Sequence, residues 1–309
     1  MSQALALGYL SKVSAANVNA SHTEGNVAVT KKVTLPDGSA RPYISGQAIR
    51  RMLRERLADL GYELSEPFAE VSGQEVTPPV RPWDFVDEDL FGYLDSSGGH
   101  RRTSPVRASA AIGQFPFQDD RDLGTRSFER FGETMAEGGN LFETELYANV
   151  FAGNVLVELD RVGVFPAVEV AADDDHALEV EARRTRVRTL LESLNLLWGG
   201  GRTARMLTDL SPTFVAYSRL AVKHPAFLES LVARYGDGGY ELALEPLTNA
   251  LDKFAAYREQ TLFGLEPGVF ANEAEIRETL GAYGAVAPVH EAIANAQSDV
   301  DALWSKSSA

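Results

Sequence analysis

The sequence predicts an α+β sandwich interrupted by a large insertion, with a helical layer added at the C-terminal end. Three observations predict it. The order strand–helix–strand occurs in the first part of the chain and again after residue 140, which suits a ferredoxin-like arrangement. Between the two halves, Pro67, Pro78, Pro79, Pro82, Pro105 and Pro116, with "SSGGH" and "EGGN", break all regular patterning. From about residue 222 onward, apolar residues recur at helical spacing.

The elements follow in order. "LALGYLSKVSA" has β-compatible residues in partial alternation and reads as the first strand, followed by Asn17 and Asn19. "HTEGNVAVTKKVTLPDGSARPYI" reads as two short strands around a turn at Pro36, Asp37 and Gly38. A helix starts at Ser45, a good N-cap, and stops near Gly61, a good residue to follow a last turn. Residues 62–140 read as part hairpin, part loop, and an insertion of that length in a compact domain points to function. "ELYANVFAGNVLVELDRVGVF" is strand-rich, "DDDH" is a polar turn, and residues 177–198 form an amphipathic helix that runs into "WGGGR". Residues 206–220 read as strands, and "AFLESLVARYG", "LEPLTNALDKFAAYREQTLFG" and "NEAEIRETLGAYGAV" as helical. The organisation is a sheet-bearing unit over 1–221, interrupted at about 62–140, with a helical extension over 222–309 packed on it.

The 309 residues are 44% hydrophobic, enough for a sizeable core, and carry a net charge of −15. The absence of cysteine excludes disulfides, thiolate metal sites and cysteine nucleophiles. No basic leader precedes the first apolar run and no stretch approaches about 18 apolar residues, so a cytoplasmic protein without membrane contact is expected. His22, His100, His176, His224 and His290 lie far apart, and no cofactor is expected. Asp119, Asp120 and Asp122 in "QDDRD" could bind a hard cation.

Against this acidic background, "SGQAIRRMLRERL" places four arginines within two helical turns. On a helical wheel Ile49, Leu53, Leu57 and Leu60 form the core face. Arg50, Arg51 and Arg54 form a stripe beside it, and Arg56 sits on the other border, where its head is expected to snorkel to water. A solvated, salt-bridged face is the plain alternative. The helix start argues for more. Ser45, Gly46 and Gln47 put a hydroxyl, free N–H groups and an amide at the positive end of the helix dipole, a ready anion site. "RRTSPVR" adds Arg101, Arg102, Ser104 and Arg107, with an exposed loop as its alternative. "WGGGRTAR" adds Gly200, Gly201, Arg202 and Arg205. It lacks the Gly-Lys-Ser/Thr ending of a phosphate loop and follows a helix, so neither nucleotide fingerprint applies, and a glycine-rich helix end is its alternative. Phe115 and Phe117 suit base stacking or the core of a hairpin equally. Arg183, Arg184, Arg186 and Arg188 scatter around their helix near Glu181 and Glu192 and read as a solvated, salt-bridged surface.

"ISGQAIRRMLRERL" after a strand ending in "NVNAS", together with "RRTSPVRASAAIGQFPFQDDRDLGTR" and "LNLLWGGGRTARML", resembles the CRISPR-associated RAMP superfamily, and most closely its DevR-type autoregulator family. The resemblance spans most of residues 1–220. It implies an RRM-like palm with a thumb and finger-like insertion. It also implies a non-catalytic backbone subunit of a type I Cascade complex in antiviral defence. Such subunits stack as a helical filament along one crRNA beside other Cascade subunits and leave its bases to pair with a target DNA strand. By position it implies RNA contacts at Asn17, Asn19 and Lys31, at Ser45, Gln47, Arg50, Arg51 and Arg54, at Arg101, Arg102, Ser104 and Arg107, and at Gly200, Gly201, Arg202 and Arg205. A net charge of −15 then requires the basic groove to be sharply separated from acidic outer surfaces, which could serve contacts between subunits. Two other classes stay open on the sequence: a metal-dependent RNA endonuclease of the same superfamily, acting through Asp119, Asp120 or Asp122, and an autoregulatory scaffold without RNA contact.

Overall fold

Strand β1 (Ala4–Ala16) is buried from Ala4 through Ser11, on both of its faces. The alternation is therefore only partial, because a central strand covered on both sides is apolar on both. The computed structural model describes residues 4–65, 78–96, 98–126, 140–170, 172–199 and 206–305. After β1 come β2 (Ala20–Glu24), β3 (Val27–Thr30), β4 (Lys32–Thr34) and β5 (Ala40–Ile44), then α1 (Gly46–Asp59) and the short α2 (Val86–Phe91). Next are β6 (Tyr93–Leu94), β7 (Arg101–Arg102), β8 (Val106–Ala108), β9 (Ala111–Gly113), β10 (Asp120–Arg126), β11 (Asn140–Glu158), β12 (Val164–Phe165) and β13 (His176–Ala177). The chain continues with α3 (Val180–Asn195), β14 (Phe214–Leu220), β15 (Ala233–Gly236), β16 (Gly239–Leu242) and α4 (Leu244–Lys253). It ends with β17 (Arg258–Leu265), α5 (Glu273–Gly281), β18 (Ala285–Ala287) and α6 (Val289–Ser305).

The α+β expectation takes the form of a mixed twelve-stranded sheet and, among the described residues, six helices. The main path through the sheet is β18-β17-β14-β1-β11-β9-β5-β4, with β8, β10 and β3 also pairing with β11. β14, β1, β11 and β8 are antiparallel neighbours. In chain order they are the fourth, first, third and second strands of two strand–helix–strand units, whose helices are α1 and α3. β1 and β11 run in register from Ala4↔Glu158 to Val13↔Asn149. The first part of β11 continues beyond that pairing as a ribbon with β10, from Asp120↔Leu146 to Arg126↔Asn140.

One face of the sheet, with Leu5, Leu7 and Tyr9, packs on α1, α3 and α6; the other, with Ala6 and Leu10, packs on α4, α5 and the segment around Phe227 and Leu231. The C-terminal part holds three helices but is not purely a helical layer. β17, read from sequence as the tail of a helical stretch, lies in the main sheet against β14. Its residues Thr261–Leu265 are buried on both faces, and so short an apolar run carries neither the helical nor the strand period. Within the described part of the insertion, β8 and β9 likewise belong to the main sheet.

Candidate nucleic-acid interface

The start of α1 is built as the sequence suggests. Ser45 caps the helix, its Oγ accepting the Ala48 N–H at 3.3 Å, and its own N–H donates to Asn19 Oδ1 at 2.9 Å. Asn19 thereby ties the turn between β1 and β2 to the helix. Gln47 is exposed. Gly46 packs so tightly on β8 that a Cβ there would collide with the Ala108 carbonyl, so this glycine serves the fold. Asn17 is also turned inward. It is buried, and its Nδ2 donates to the Glu145 carbonyl at 2.9 Å, joining β1 to β11 out of reach of a ligand. Lys31 is half-buried, its backbone bonded to Asn19 and Tyr43.

Along α1 the core face is Ile49, Met52, Leu53 and Leu57, while Leu60 is largely outside it at 37% exposure. The arginine stripe divides. Arg51 stands in solvent and pairs with Glu55 one turn on at 3.1 Å. Arg50 is half-buried and donates from Nη2 to the Phe91 carbonyl at 2.9 Å. Arg54 lies 4.8 Å from the centre of the Phe91 ring and 3.7 Å from Asp87. Burial lowers its pKa to about 10, opposed by the attraction of Asp87, so it stays charged at neutral pH. Arg56 does not snorkel. It is buried 4.5 Å from the Trp198 ring centre and donates to Asp59 at 2.7 Å and to the Trp198 carbonyl at 2.9 Å.

The reason for this division is α2, whose three consecutive acids are all buried and hold three different parts of the chain. Asp87 accepts the Ser65 N–H and hydroxyl at 3.0 and 2.8 Å and faces Arg54. Glu88 accepts the backbone N–H groups of Val80 and Arg81 at 3.1 and 2.5 Å. Asp89 takes Arg102 and Arg186, each at 2.7 Å, and the Gly163 N–H at 3.0 Å. Arg102 is therefore a correction to the sequence-based site. Its side chain has 0% exposure and also donates to Glu169 and to the carbonyls of Val164 and Arg161, which leaves it no donor for a phosphate. Arg186 is corrected too, from a surface residue to the second buried partner of Asp89. Arg184 and Arg188 do form surface ion pairs, with Glu181 and Asp301.

Outside this knot lies an open groove of about 490 Å³ between Arg50 and the stretches 91–94 and 102–107, walled by Phe91, Leu94, Thr103, Ser104 and Arg107. Gly92, at φ +69°, lets the chain before β6 lie against the end of β7; a Cβ there would run into the Arg102 carbonyl. The Ser104 hydroxyl lies between the carbonyls of Leu90 and Val106, so its one proton is spent within the fold. Arg107 is about half exposed and paired with Glu158. Arg101, beside Arg102 in β7, is exposed and makes no ion pair among the described residues. Gly200, Gly201, Arg202 and Arg205 lie outside the described residues. Of the aspartates at 119–122, Asp119 pairs with Arg121, and among the described residues no three His, Asp or Glu side chains converge on a common point.

The outward groups thus suit a polyanion that crosses the groove and touches the α1 start, while the inward arginines hold the groove's walls. The residues that sequence reasoning missed are the α2 acids. "VDEDLF" offers one signal, three acids directly between apolar residues.

Residues 83–236 match the family model described as the CRISPR-associated negative auto-regulator DevR/Csa2. Two solved chains are similar in fold over nearly their whole length. One, from a "CRISPR RNA-guided surveillance complex, pre-nicking", aligns at a TM-score of 0.59 with 15% identity, over 98% of this chain and 100% of that one. Another, from a "CRISPR RNA-guided surveillance complex", aligns at 0.56 with 18% identity, over 98% and 99%. No curated protein sequence matches. Among the described residues no helix is long and apolar enough to cross a membrane.

Proposed function

We propose that this chain, a member of the DevR/Csa2 CRISPR-associated family, is a non-catalytic crRNA-binding backbone subunit of a type I Cascade surveillance complex. The observation that carries the reading is the groove walled by Arg50 and Arg107, with Ser45 and Gln47 at the start of the same helix. Strand order supports it, since β14-β1-β11-β8 with α1 and α3 is the split βαβ order of ferredoxin-like and RRM-like palms. RRM modules stack bases on the open face of that sheet. Here α4 and α5 cover that face, so contact falls to the helix edge.

In this reading Arg50 and Arg107 neutralise phosphates, and Arg51 and Arg101 extend the positive field on either side. The N–H groups at the start of α1 add donors for a phosphate. The protein grips backbone, and the guide's bases remain for pairing with a target DNA strand, which carries the specificity. Further copies continue the filament along the guide, next to other Cascade subunits.

The test is a gel-shift titration against labelled single-stranded RNA of several lengths, with magnesium, at two salt concentrations. The expected result is a ladder of intact, shifted bands, with more bands on longer RNA and weaker binding at high salt. Shortened RNA, or no shift at any length, overturns the reading.

A further inference from the structure

We propose that the groove between α4 and the segment 224–230 captures the C-terminal end of a partner protein chain whose last side chain is apolar. The groove lies across the sheet from α1, over the core on the α4 side, so it is independent of the RNA-binding reading. Its volume is about 430 Å³. One bank is a single face of α4, formed by Pro246, Asn249, Ala250 and Lys253 at the spacing of helical neighbours. The helix meets the core through Leu247 and Leu251 instead. The other bank is the segment 224–230, where Leu228 is 46% exposed. Core residues Ala226 and Phe254 close the floor.

The two ends of the groove differ in chemistry. At the C-terminal end of α4, the His224 ring lies 4.5 Å from the Phe254 ring, and Lys253 Nζ lies 5.4 Å from the same ring. Asn249, one turn earlier, adds an exposed amide. The opposite bank runs back along the helix, because just beyond it the Val232 carbonyl accepts the Ala243 N–H at 2.9 Å, at the start of α4. Glu229 therefore lies towards Pro246, at the other end. His224, Lys253 and Glu229 are exposed, and among the described residues none of them makes an ion pair. A groove with donors at one end, a carboxylate at the other and apolar banks between them is complementary to a chain end. The terminal carboxylate meets Lys253 and His224, the last side chain lies between Leu228 and Ala250, and a preceding backbone N–H faces Glu229. The Lys253 ammonium stands 5.4 Å from a ring of the floor, so the anion and the apolar group must adjoin, as they do on a terminal residue. The face from Pro246 to Lys253 is about 10 Å long at about 1.5 Å per residue, the length of about three extended residues.

The experiment is fluorescence anisotropy with the intact chain and two N-terminally labelled probes, the peptide Gly-Ser-Gly-Ala-Leu-Leu with a free C-terminus and the same peptide amidated there. Wild type, A250W and K253E are compared; A250W fills the groove and K253E reverses its cation. The free-ended peptide is expected to bind wild type at least about ten-fold more tightly than the amidated one, and to lose about ten-fold in affinity with either variant. Both variants are expected to keep the wild-type urea midpoint and wild-type affinity for single-stranded RNA. Equal binding of the two peptides would show that the groove takes a passing segment, and the chain-end assignment is overturned. So it is if the free-ended peptide does not bind up to about 1 mM, or if its binding ignores both variants. Competition by octanoate as strong as by unlabelled peptide would show a site for small amphiphiles, which also overturns it. A wild type that binds no RNA but binds the free-ended peptide as expected overturns the RNA-binding reading and leaves this one standing.

Discussion

Arg101 and Arg102 are adjacent in a two-residue strand and have opposite fates. Arg101 stands in solvent without an ion pair among the described residues, and Arg102 has no exposed side-chain surface and is held by Asp89 and Glu169. The same split runs along α1, where Arg51 is outside and Arg54 faces Asp87 over the Phe91 ring. In both places the sequence alone offers a row of cations, and the alternating geometry of strand and helix sends them to different sides. An arginine-rich stretch therefore combines two functions here. One set of guanidinium groups fastens the groove's walls, and the other faces outward from them.

The inward set breaks first and hardest. Asp89→Ala leaves Arg102 and Arg186 buried without their shared counter-charge, and removing one partner of a buried pair costs about 3–5 kcal/mol. Urea denaturation followed by circular dichroism is expected to show a midpoint lowered accordingly. A destabilisation below about 1 kcal/mol would mean that the knot is ornamental and that the division of arginines has no energetic basis.

The outward set is expected to behave in the reverse way. The double variant Arg50→Gln, Arg101→Glu removes one positive charge at the groove and reverses another that has no ion-pair partner among the described residues. Its urea midpoint is expected to stay close to wild type. Its affinity for single-stranded RNA is expected to fall at least about ten-fold, and the slope of log K against log salt to shrink by about 0.7 for each phosphate the protein no longer neutralises. Weaker binding with an unchanged slope would place these residues beside the RNA path and not on it.

The sequence showed the parts of this division that depend on local periodicity. The core face of α1, the Ser45 cap and the turn at Pro36–Gly38, where Ser39 N–H bonds Asp37 Oδ1 at 2.8 Å, rest on neighbours in the chain. The inward arginines do not. Arg186 meets Asp89 across 97 residues of sequence, and Arg56 meets the Trp198 carbonyl across 142. A charged side chain is assigned to solvent by default, because it is rarely buried without a partner, and no local pattern reveals a partner so remote. β17 was hidden for a different reason. Burial on both faces removes the alternation by which a strand is recognised.

Between the two arginine classes stands Glu88, the one α2 acid whose oxygens accept backbone N–H groups and, among the described residues, no arginine ion pair. Burial raises its pKa from the usual 4.5 to about 7, against the pull of those N–H groups. The folded pKa thus lies above the unfolded one. The stabilisation from its protonation is complete below about pH 4.5 and disappears as pH rises through about 7. Stability of the wild type relative to Glu88→Gln is expected to decline across that window in denaturation at stepped pH. A flat difference would mean that Glu88 shares a counter-charge with its neighbours after all.

The smallest effect sharpens the comparison most, because it concerns an arginine that the fold does not use. Arg51 is 80% exposed, and among the described residues its ion pair is with Glu55, four residues on, an interaction worth about 0.3–0.5 kcal/mol and screened by salt. Arg51→Ala is therefore expected to leave the urea midpoint nearly unchanged while weakening RNA binding about two- to five-fold, as removing one exposed cation from the phosphate path would do. Comparing the variant with Glu55→Ala separates the two roles. Removing the glutamate frees Arg51 and is expected to tighten RNA binding slightly, whereas a purely structural pair would make both variants equally and weakly destabilising with no change in affinity. Opposite shifts in RNA affinity from the two ends of one exposed ion pair would place Arg51 in the outward set on functional grounds, independently of its exposure.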